Sequence, residues 1–332
     1  MTAPAAITPI EFIFLGTGPS NAIPDVTCLT RPNPSCKVCL LATQPAERDS
    51  RPPRRSDPRV AEVQMWNKNR RGNTSGIYRY RDATGTIKNI LIDCGKTFYA
   101  SAVQWFVHYN IQQIDAVILT HDHADAVMGL DDLRSWTLHR DGPVQSTIPI
   151  YLNQSTYTVI SSIFPYIINA SKATGGGHIP SLTFHIFDTP TLTTFPPFLI
   201  NATLPVTPFP VEHGRKGSDP YYCTAFLLPH LTYISDTNHI PAPVFELVRR
   251  SENRVLVLDC LREKDFASHQ GYESAIPCAE ALGVPRVYFM GFNHECEHGE
   301  FEKVLESEEW GKGLREKGVK AEVAFDGLVI QL

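Results

Sequence analysis

The sequence predicts an α/β fold. Short apolar, β-branched runs bounded by turn residues recur along the chain, and they alternate with stretches that are apolar at helical spacing. The alternation occurs in two halves, as expected of strands and helices layered on one another. At 332 residues, 42% of them hydrophobic, the chain can bury a large core, in one big α/β domain or two smaller ones.

Composition narrows the functional classes. Charged residues make up 20% of the chain and the formal net charge is −5, so no overall field draws in nucleic acid or anionic lipid. The 26 prolines point to many fixed loops. The 8 cysteines in so long a chain do not read as a secreted disulfide scaffold. Met1 is followed by Thr2, Ala3 and Pro4, with no basic and then apolar segment, so no secretory leader is visible. No run approaches membrane-spanning length. The expected setting is cytoplasmic or nuclear, with reduced thiols and no membrane partner.

From the N-terminus, Ile10 to Leu15 is a strand. Gly16-Thr17-Gly18 turns it sharply, where the backbone needs positive φ or close approach to another strand. A Pro-rich loop (24–43) then carries Cys28, Cys36 and Cys39. The two-residue gap between Cys36 and Cys39 lets two thiolates grip one ion from a tight turn, as in a zinc knuckle. A redox pair would need a thioredoxin-like strand and helix around it, whereas the flanks here are Pro32, Pro34 and a long loop. Residues 44–71 are charged and Pro-rich, with Arg51, Arg54, Arg55, Arg59, Lys68, Arg70 and Arg71. No aromatic ladder accompanies these charges apart from Trp66, so a solvated insertion is expected rather than a nucleic-acid patch.

Gly72 to Tyr80 and Ile87 to Ile92 read as strands joined by a turn at Asp82–Gly85. Asp93 ends the second, and Cys94 beside it reads as a small buried residue rather than a nucleophile. Phe98 to Tyr109 is apolar at helical spacing. Ile114 to Leu119 is a buried strand, and directly off its end come His121, His123 and Asp125. Alternate side chains of a tight turn converge. Two imidazoles and a carboxylate are what a borderline-soft divalent metal takes, Zn²⁺ first. The alternative is a solvated polar turn, and placement at the end of a buried strand argues against it.

A helix follows from Leu130, then a strand Pro149–Leu152 and a helical stretch Gln154–Ile168 broken at Pro165. Gly175 to Gly177 forms a loop before two or three strands between Leu182 and Val211. His178 and His185, in that region, are expected to be exposed or satisfied. His213 stands at a strand end. Phe226–His230 and Leu231–Ile234 are strands, and Asp236 follows in Ser235-Asp236-Thr237. A carboxylate there can cap one ion or bridge two, since each oxygen can take its own. Arg254–Asp259 is a buried strand, with Ser268-His269 in the loop beyond. A helix to Leu282, a strand Arg286–Met290 and the segment Gly291-Phe292-Asn293-His294-Glu295-Cys296-Glu297-His298 come next. One helix from Phe301 to Lys317 and strands at Val319–Phe325 and Leu328–Leu332 complete the chain.

Thr120-His121-Asp122-His123-Ala124-Asp125-Ala126 resembles the His-x-His-x-Asp-His signature of the metallo-β-lactamase superfamily, with Ala126 in place of the last His. The chain is most similar to the branch containing the phosphoribosyl cyclic phosphodiesterase of phosphonate breakdown, over roughly residues 10–332. The resemblance implies one domain over 1–332, a four-layer αβ/βα sandwich with metals at one edge. It implies that Asp93 braces the His-x-His loop, that His213 is the third metal-binding His, and that Asp236 is a ligand. It makes His269 a candidate acid beside the substrate phosphate; the residue-level alternative is a helix-capping or surface His. It also implies a Cys-rich structural zinc site of Cys28, Cys36, Cys39 and His294.

In that branch two histidines three apart end the strand after the acid His. Aligned on His294, the first falls on Gly291, so Ala126 and Gly291 would both be missing from the second-metal position. In the other register His294 or His298 enters the active site, with Cys296 a further donor. The expected chemistry is hydrolysis, by a zinc-activated water, of a small cyclic or nucleotide-like phosphodiester, with Mn²⁺ as the alternative active-site ion. Asp125 would orient that water or take its proton, and His269 would donate to the leaving oxygen. Two other readings stand beside it. One is a metal-binding regulatory module with a reduced active site, motivated by Ala126 and Gly291. The other is an RNA-processing nuclease, motivated by the Arg cluster and opposed by the acidic balance. A homodimer is compatible with all three.

Overall fold

The structure, a computed structural model, describes residues 7–45, 67–138, 142–176 and 178–332. Most of the Arg-rich insertion expected at 44–71 therefore lies outside the described residues. Among the described residues fourteen strands form two sheets. The first contains β1 (Thr8–Gly16), β2 (Ser75–Arg81), β3 (Ile87–Ile92), β4 (Ala116–Ile118), β5 (Ile148–Leu152), β6 (Leu182–Ile186) and, paired to β1 from the far end of the chain, β14 (Val329–Gln331). Their order is β14-β1-β2-β3-β4-β5-β6. The second holds β7 (Phe198–Ile200), β8 (Leu204–Lys216), β9 (Asp219–Leu228), β10 (Leu231–Ile234), β11 (Val255–Asp259), β12 (Arg286–Met290) and β13 (Lys320–Val323) in the order β13-β12-β11-β10-β9-β8-β7. Both sheets are mixed. Hairpins supply the antiparallel pairs β2–β3 and β8–β9, β1 pairs antiparallel with β2 across a long connection, and β3 to β6 and β10 to β13 run parallel.

Period-two alternation creates the layers. Phe12 and Phe14 face the second sheet, where their rings meet Tyr233 and Tyr288 at 5.8 and 6.0 Å. Ile13 and Leu15, one residue out of step, face the other way onto Phe98, Trp105 and Leu130. On the second sheet Leu256, Leu258, Val287 and Phe289 pack under Val244, Ile276 and Phe301 of the outer helices. Three buried layers of apolar side chains thus hold two sheets and two sets of helices together.

Several elements depart from expectation. The final helix is two, His298–Glu306 and Lys312–Glu316. The guanidinium of Arg315 donates to the carbonyls of Leu305, Glu306 and Ser307, capping the first where one continuous helix would leave no free carbonyls. The Phe98–Tyr109 helix contains a π turn at Ala102–Phe106. A helix at Ala242–Arg250 had no counterpart in the sequence reading; two prolines at its start, Pro241 and Pro243, mask its apolar stripe. Arg71, grouped with the solvated charges, is buried. Gly16 is required by close approach: a Cβ there would lie 2.0 Å from the carbonyl oxygen of Asn73.

His298 is buried at the N-terminus of its helix, Nε2 2.9 Å from Glu302 Oε1. Burial, helped by Lys68 and Arg71, lowers its pKa to about 4 from the usual 6.5. The unfolded chain takes up this proton below 6.5 and the folded chain does not, so stability is lost as pH falls from 6.5 towards 4. This one group accounts for about 3 kcal/mol at ~1.4 kcal/mol per pH unit. Denaturant titrations of the wild type and His298→Gln between pH 7 and pH 4 should show a shallower decline for the variant.

Candidate metal centre and active site

One edge of the sandwich gathers the ends of β4, β8, β10 and β11. The turn after β4 carries His121 and His123, β8 carries His213, Asp236 follows β10, and Asp259 ends β11. The two sheets are tied here by the backbone, Thr224 N–H donating to Thr120 O at 2.9 Å. Ligand atoms of His121, His123 and His213 lie within 4.8 Å of one another, as do those of His213, Asp236 and His269, and those of His121, Cys223 and Asp236. The three groups overlap, so they describe one centre.

Two of the imidazoles, His121 and His213, are each held by a partner on Nδ1. His121 Nδ1 is 2.8 Å from Thr120 Oγ1, which donates in turn to Asp93 Oδ2 at 2.9 Å, while Asp93 Oδ1 accepts from Thr120 N–H. Asp93 thus reaches the motif through Thr120. That leaves His121 Nε2 buried with no hydrogen-bond partner. His213 Nδ1 donates to the carbonyl of Ser268 at 2.8 Å, which turns the lone pair of Nε2 inward, 3.3 Å from His123 Nδ1. His123 is exposed and stacks on Tyr221 at 5.2 Å, and the Tyr221 hydroxyl donates to Asp122.

Burial lowers the pKa of His121, and that of His213 to about 4, so both rings are neutral at pH 7. Burial opposes ionisation of Asp236, but His121, His213 and His269 outweigh it and hold this carboxyl at about 2. Neutral imidazoles beside an ionised carboxylate form a donor set suited to a divalent cation, and the orphaned Nε2 of His121 fits the same occupant.

His269 belongs to a second device. Its Nδ1 lies 2.8 Å from Asp259 Oδ2, which also accepts from Thr237 N–H at 3.0 Å, and 4.0 Å from Asp236 Oδ1. Burial works against the imidazolium, yet Asp259 and Asp236 push the His269 pKa up to about 9. Asp259 is fully buried, and burial raises its carboxyl to about 6. Nothing in the sequence marked Asp259 apart from any other strand-end residue. Asp125 stands apart from the three overlapping groups: its Oδ2 accepts from Ser20 at 2.5 Å.

A second cluster is separate. Cys28, Cys36, Cys39 and His294 bring their ligand atoms within 4.8 Å, with Cys28 Sγ 3.1 Å from His294 Nδ1. The two-residue gap between Cys36 and Cys39 spans one short helix, Lys37–Leu41. His298 and Cys296, which the alternative register sent to the active site, lie outside both clusters among the described residues.

Residues 88–292 match the family model described as the beta-lactamase superfamily domain. The chain belongs to the beta-lactamase superfamily. Its fold is similar to that of a diphosphatase from the PhnP family, with a TM-score of 0.70 and 23% identity over 98% of both chains. The Zn²⁺-bound PqqB from Methylobacterium extorquens gives 0.60 and 16%, covering 97% of this chain and 100% of that one. The short form of human tRNase Z gives 0.54 and 14%, covering 96% and 98%. A curated relative, an octanoyltransferase of Porphyromonas gingivalis, is 27% identical over 291 residues; these are 86% of this chain and 46% of that protein, so the match spans about half its length.

Divalent-metal binding follows from the superfamily fold. Within it, the two departures in this chain now have surroundings. Ala126 is buried, its carbonyl accepting from Cys94 N–H at 2.7 Å. Gly291 has φ of 93°, and a Cβ there would lie 2.4 Å from Asp259 Oδ1. The space that a side chain at 291 would need is taken by the carboxylate that holds His269. Cys223, buried with Sγ 3.7 Å from His121 Nδ1, is the donor that the sequence reading missed. Its partner is 102 residues away, and no local spacing announces it. Among the described residues no helix is long and apolar enough to cross a membrane.

Proposed function

We propose that the chain is a metal-dependent hydrolase, a phosphodiesterase for a small cyclic or nucleotide-like phosphodiester. The observation that carries this reading is the convergence of His121, His123, His213 and Asp236 in overlapping groups beside His269, whose Nδ1 is tied to Asp259. Those four side chains would hold the ion, zinc or manganese. When bound, it supplies Lewis-acid charge and lowers the pKa of water towards ~7.

The chain's own groups do the rest. Thr120 and Ser268 fix the tautomers of His121 and His213 by occupying Nδ1. Asp259 occupies Nδ1 of His269, so the proton that can be given up is on Nε2. In hydrolysis the water oxygen bonds to phosphorus as the ester P–O bond breaks, and the leaving oxygen takes the His269 proton. Asp125, close enough to strengthen proton binding at His121 and His269, is assigned the proton lost by water. The structural relatives named a diphosphatase and a tRNase agree with hydrolysis at phosphorus, the second with a phosphodiester. The cluster of Cys28, Cys36, Cys39 and His294 is assigned a structural zinc, which would join the Pro-rich loop to the segment after β12.

The reduced-site reading is favoured by Ala126 and Gly291, which bring no donor to the second-ion position. Metal analysis of the purified protein, with turnover of bis-p-nitrophenyl phosphate, separates the two. The expected result is metal beyond that held by the cysteines and a rate that chelation abolishes. His213→Ala should cut that rate by more than ~100-fold, since even outer partners of metal ligands are worth about 10–100-fold. Bound metal with no metal-dependent rate would establish the regulatory module instead.

A further inference from the structure

We propose that the cleft beside His269 is a subsite for a neutral planar ring, so that the substrate carries a nucleobase-like heteroaromatic group on the side of the leaving oxygen. This rests on the hydrolase reading for the reaction, but its binding chemistry stands on separate residues. The cleft has a volume of about 290 Å³ and lies between the loop from Pro19 to Asp25 and the segment from Leu261 to His269, with Asn293 and His294 also lining it. That is near the lower end for small-molecule sites, room for one ring-sized group rather than a polymer.

The lining chemistry selects the group. Phe266 lines the cleft with 51% of its surface exposed. Its backbone is locked to that of the acid, Phe266 N–H donating to His269 O at 2.9 Å. The guanidinium of Arg262 sits over the ring at 5.2 Å and is itself held by Glu295 at 3.1 Å. An aromatic ring fixed relative to the proton donor is a stacking platform that keeps its distance from the reacting bond.

Two primary amides, Asn21 and Asn293, complete the lining, and the described contacts of their Nδ2 groups are long, 3.5 Å to Asp25 and 3.4 Å to Glu295. Asn21 can turn to the donors and acceptors on the edge of a heterocycle, while Asn293, its Oδ1 held by Glu295 N–H at 2.8 Å, offers its Nδ2 as a donor. No Lys or Arg is among the residues lining the cleft, and its one carboxylate is Asp25. The cations at its edge are already paired, the His269 ring with Asp259 at 2.8 Å and Arg262 with Glu295 at 3.1 Å, which leaves none free for a second phosphate. The cleft therefore disfavours the phosphoribosyl type of substrate that the resemblance implies, and favours a base-bearing one.

The test compares adenosine 2′,3′-cyclic phosphate with 1-O-methylribose 2′,3′-cyclic phosphate, which lacks only the base, on the metal-loaded protein. The expected result is a kcat/KM at least about 10-fold higher for the adenosine compound, the scale of one base stacked on an aromatic side chain. Phe266→Ala should erase most of that preference and Phe266→Tyr should keep it. Equal kcat/KM for the two substrates, or a preference that Phe266→Ala leaves unmoved, would overturn the subsite while metal-dependent turnover of bis-p-nitrophenyl phosphate still upheld the hydrolase. If neither cyclic phosphate turns over, calorimetric binding of adenosine 3′-monophosphate and ribose 5-phosphate decides the matter. Tighter binding of the adenosine ligand, weakened by Phe266→Ala, supports the subsite; equal or reversed affinities overturn it.

Discussion

His269→Gln should lower kcat by about 10²–10⁴-fold on a phosphodiester with an alkoxide leaving group, the usual worth of a positioned general acid. The same variant should lose far less on bis-p-nitrophenyl phosphate, because p-nitrophenolate departs without a proton. Glutamine retains a polar side chain of similar reach but has no proton to give, so a difference between the substrates separates proton donation from packing. Asp259→Asn should move in the same direction, since the neutral amide no longer favours the ring with Nδ1–H directed at it. Metal content should stay unchanged in both variants. A uniform loss on both substrates, or none on either, would remove His269 from the role of acid.

Arg71→Met should destabilise the fold by at least about 3 kcal/mol, a large part of the ~5–15 kcal/mol that holds an ordinary domain together. The side chain is buried, and its guanidinium donates to the carbonyls of Asn293 and Cys296 at 3.1 and 3.0 Å and to Asn69 Oδ1 at 3.0 Å, with Phe292 O further off at 3.4 Å. Methionine fills the volume and leaves those acceptors dry, at about 1–3 kcal/mol each. The carbonyls belong to the segment that presents His294 to the three cysteines, so the variant should also release zinc to a chromophoric chelator faster than the wild type. Arg71→Lys should recover part of the stability, because one ammonium cannot spread over acceptors that a planar fork reaches together. A denaturation midpoint within error of the wild type would show that the segment does not depend on this clamp.

The parts of the site visible in the sequence are those whose geometry is local. His121 and His123 sit in the turn after one buried strand with Asp125 in the short helix that follows, and Cys36 caps the short helix that holds Cys39, so spacing alone marks them as candidate donors, of which the fold sets Asp125 apart. Strand–helix alternation likewise announced the α/β class, because burial on one face imposes its period on the chain whatever the partner. His213, Asp236, His269 and His294 entered through family resemblance, each at a strand end or in the loop beyond one.

Other features were decided by packing across the sheets. Asp259 meets His269 because the loop after β11 folds back over the strand end, where Gln270 N–H donates to Thr237 O beyond β10, Cys223 meets His121 across 102 residues, and Arg71 finds its carbonyl acceptors more than 220 residues away. The space beside Gly291 was also a tertiary matter: the sequence shows a missing side chain, and the fold shows a carboxylate standing where one would go. A turn or a helix writes its spacing into neighbouring residues, whereas a contact between distant strands exists only once the buried layers have brought the strands into register.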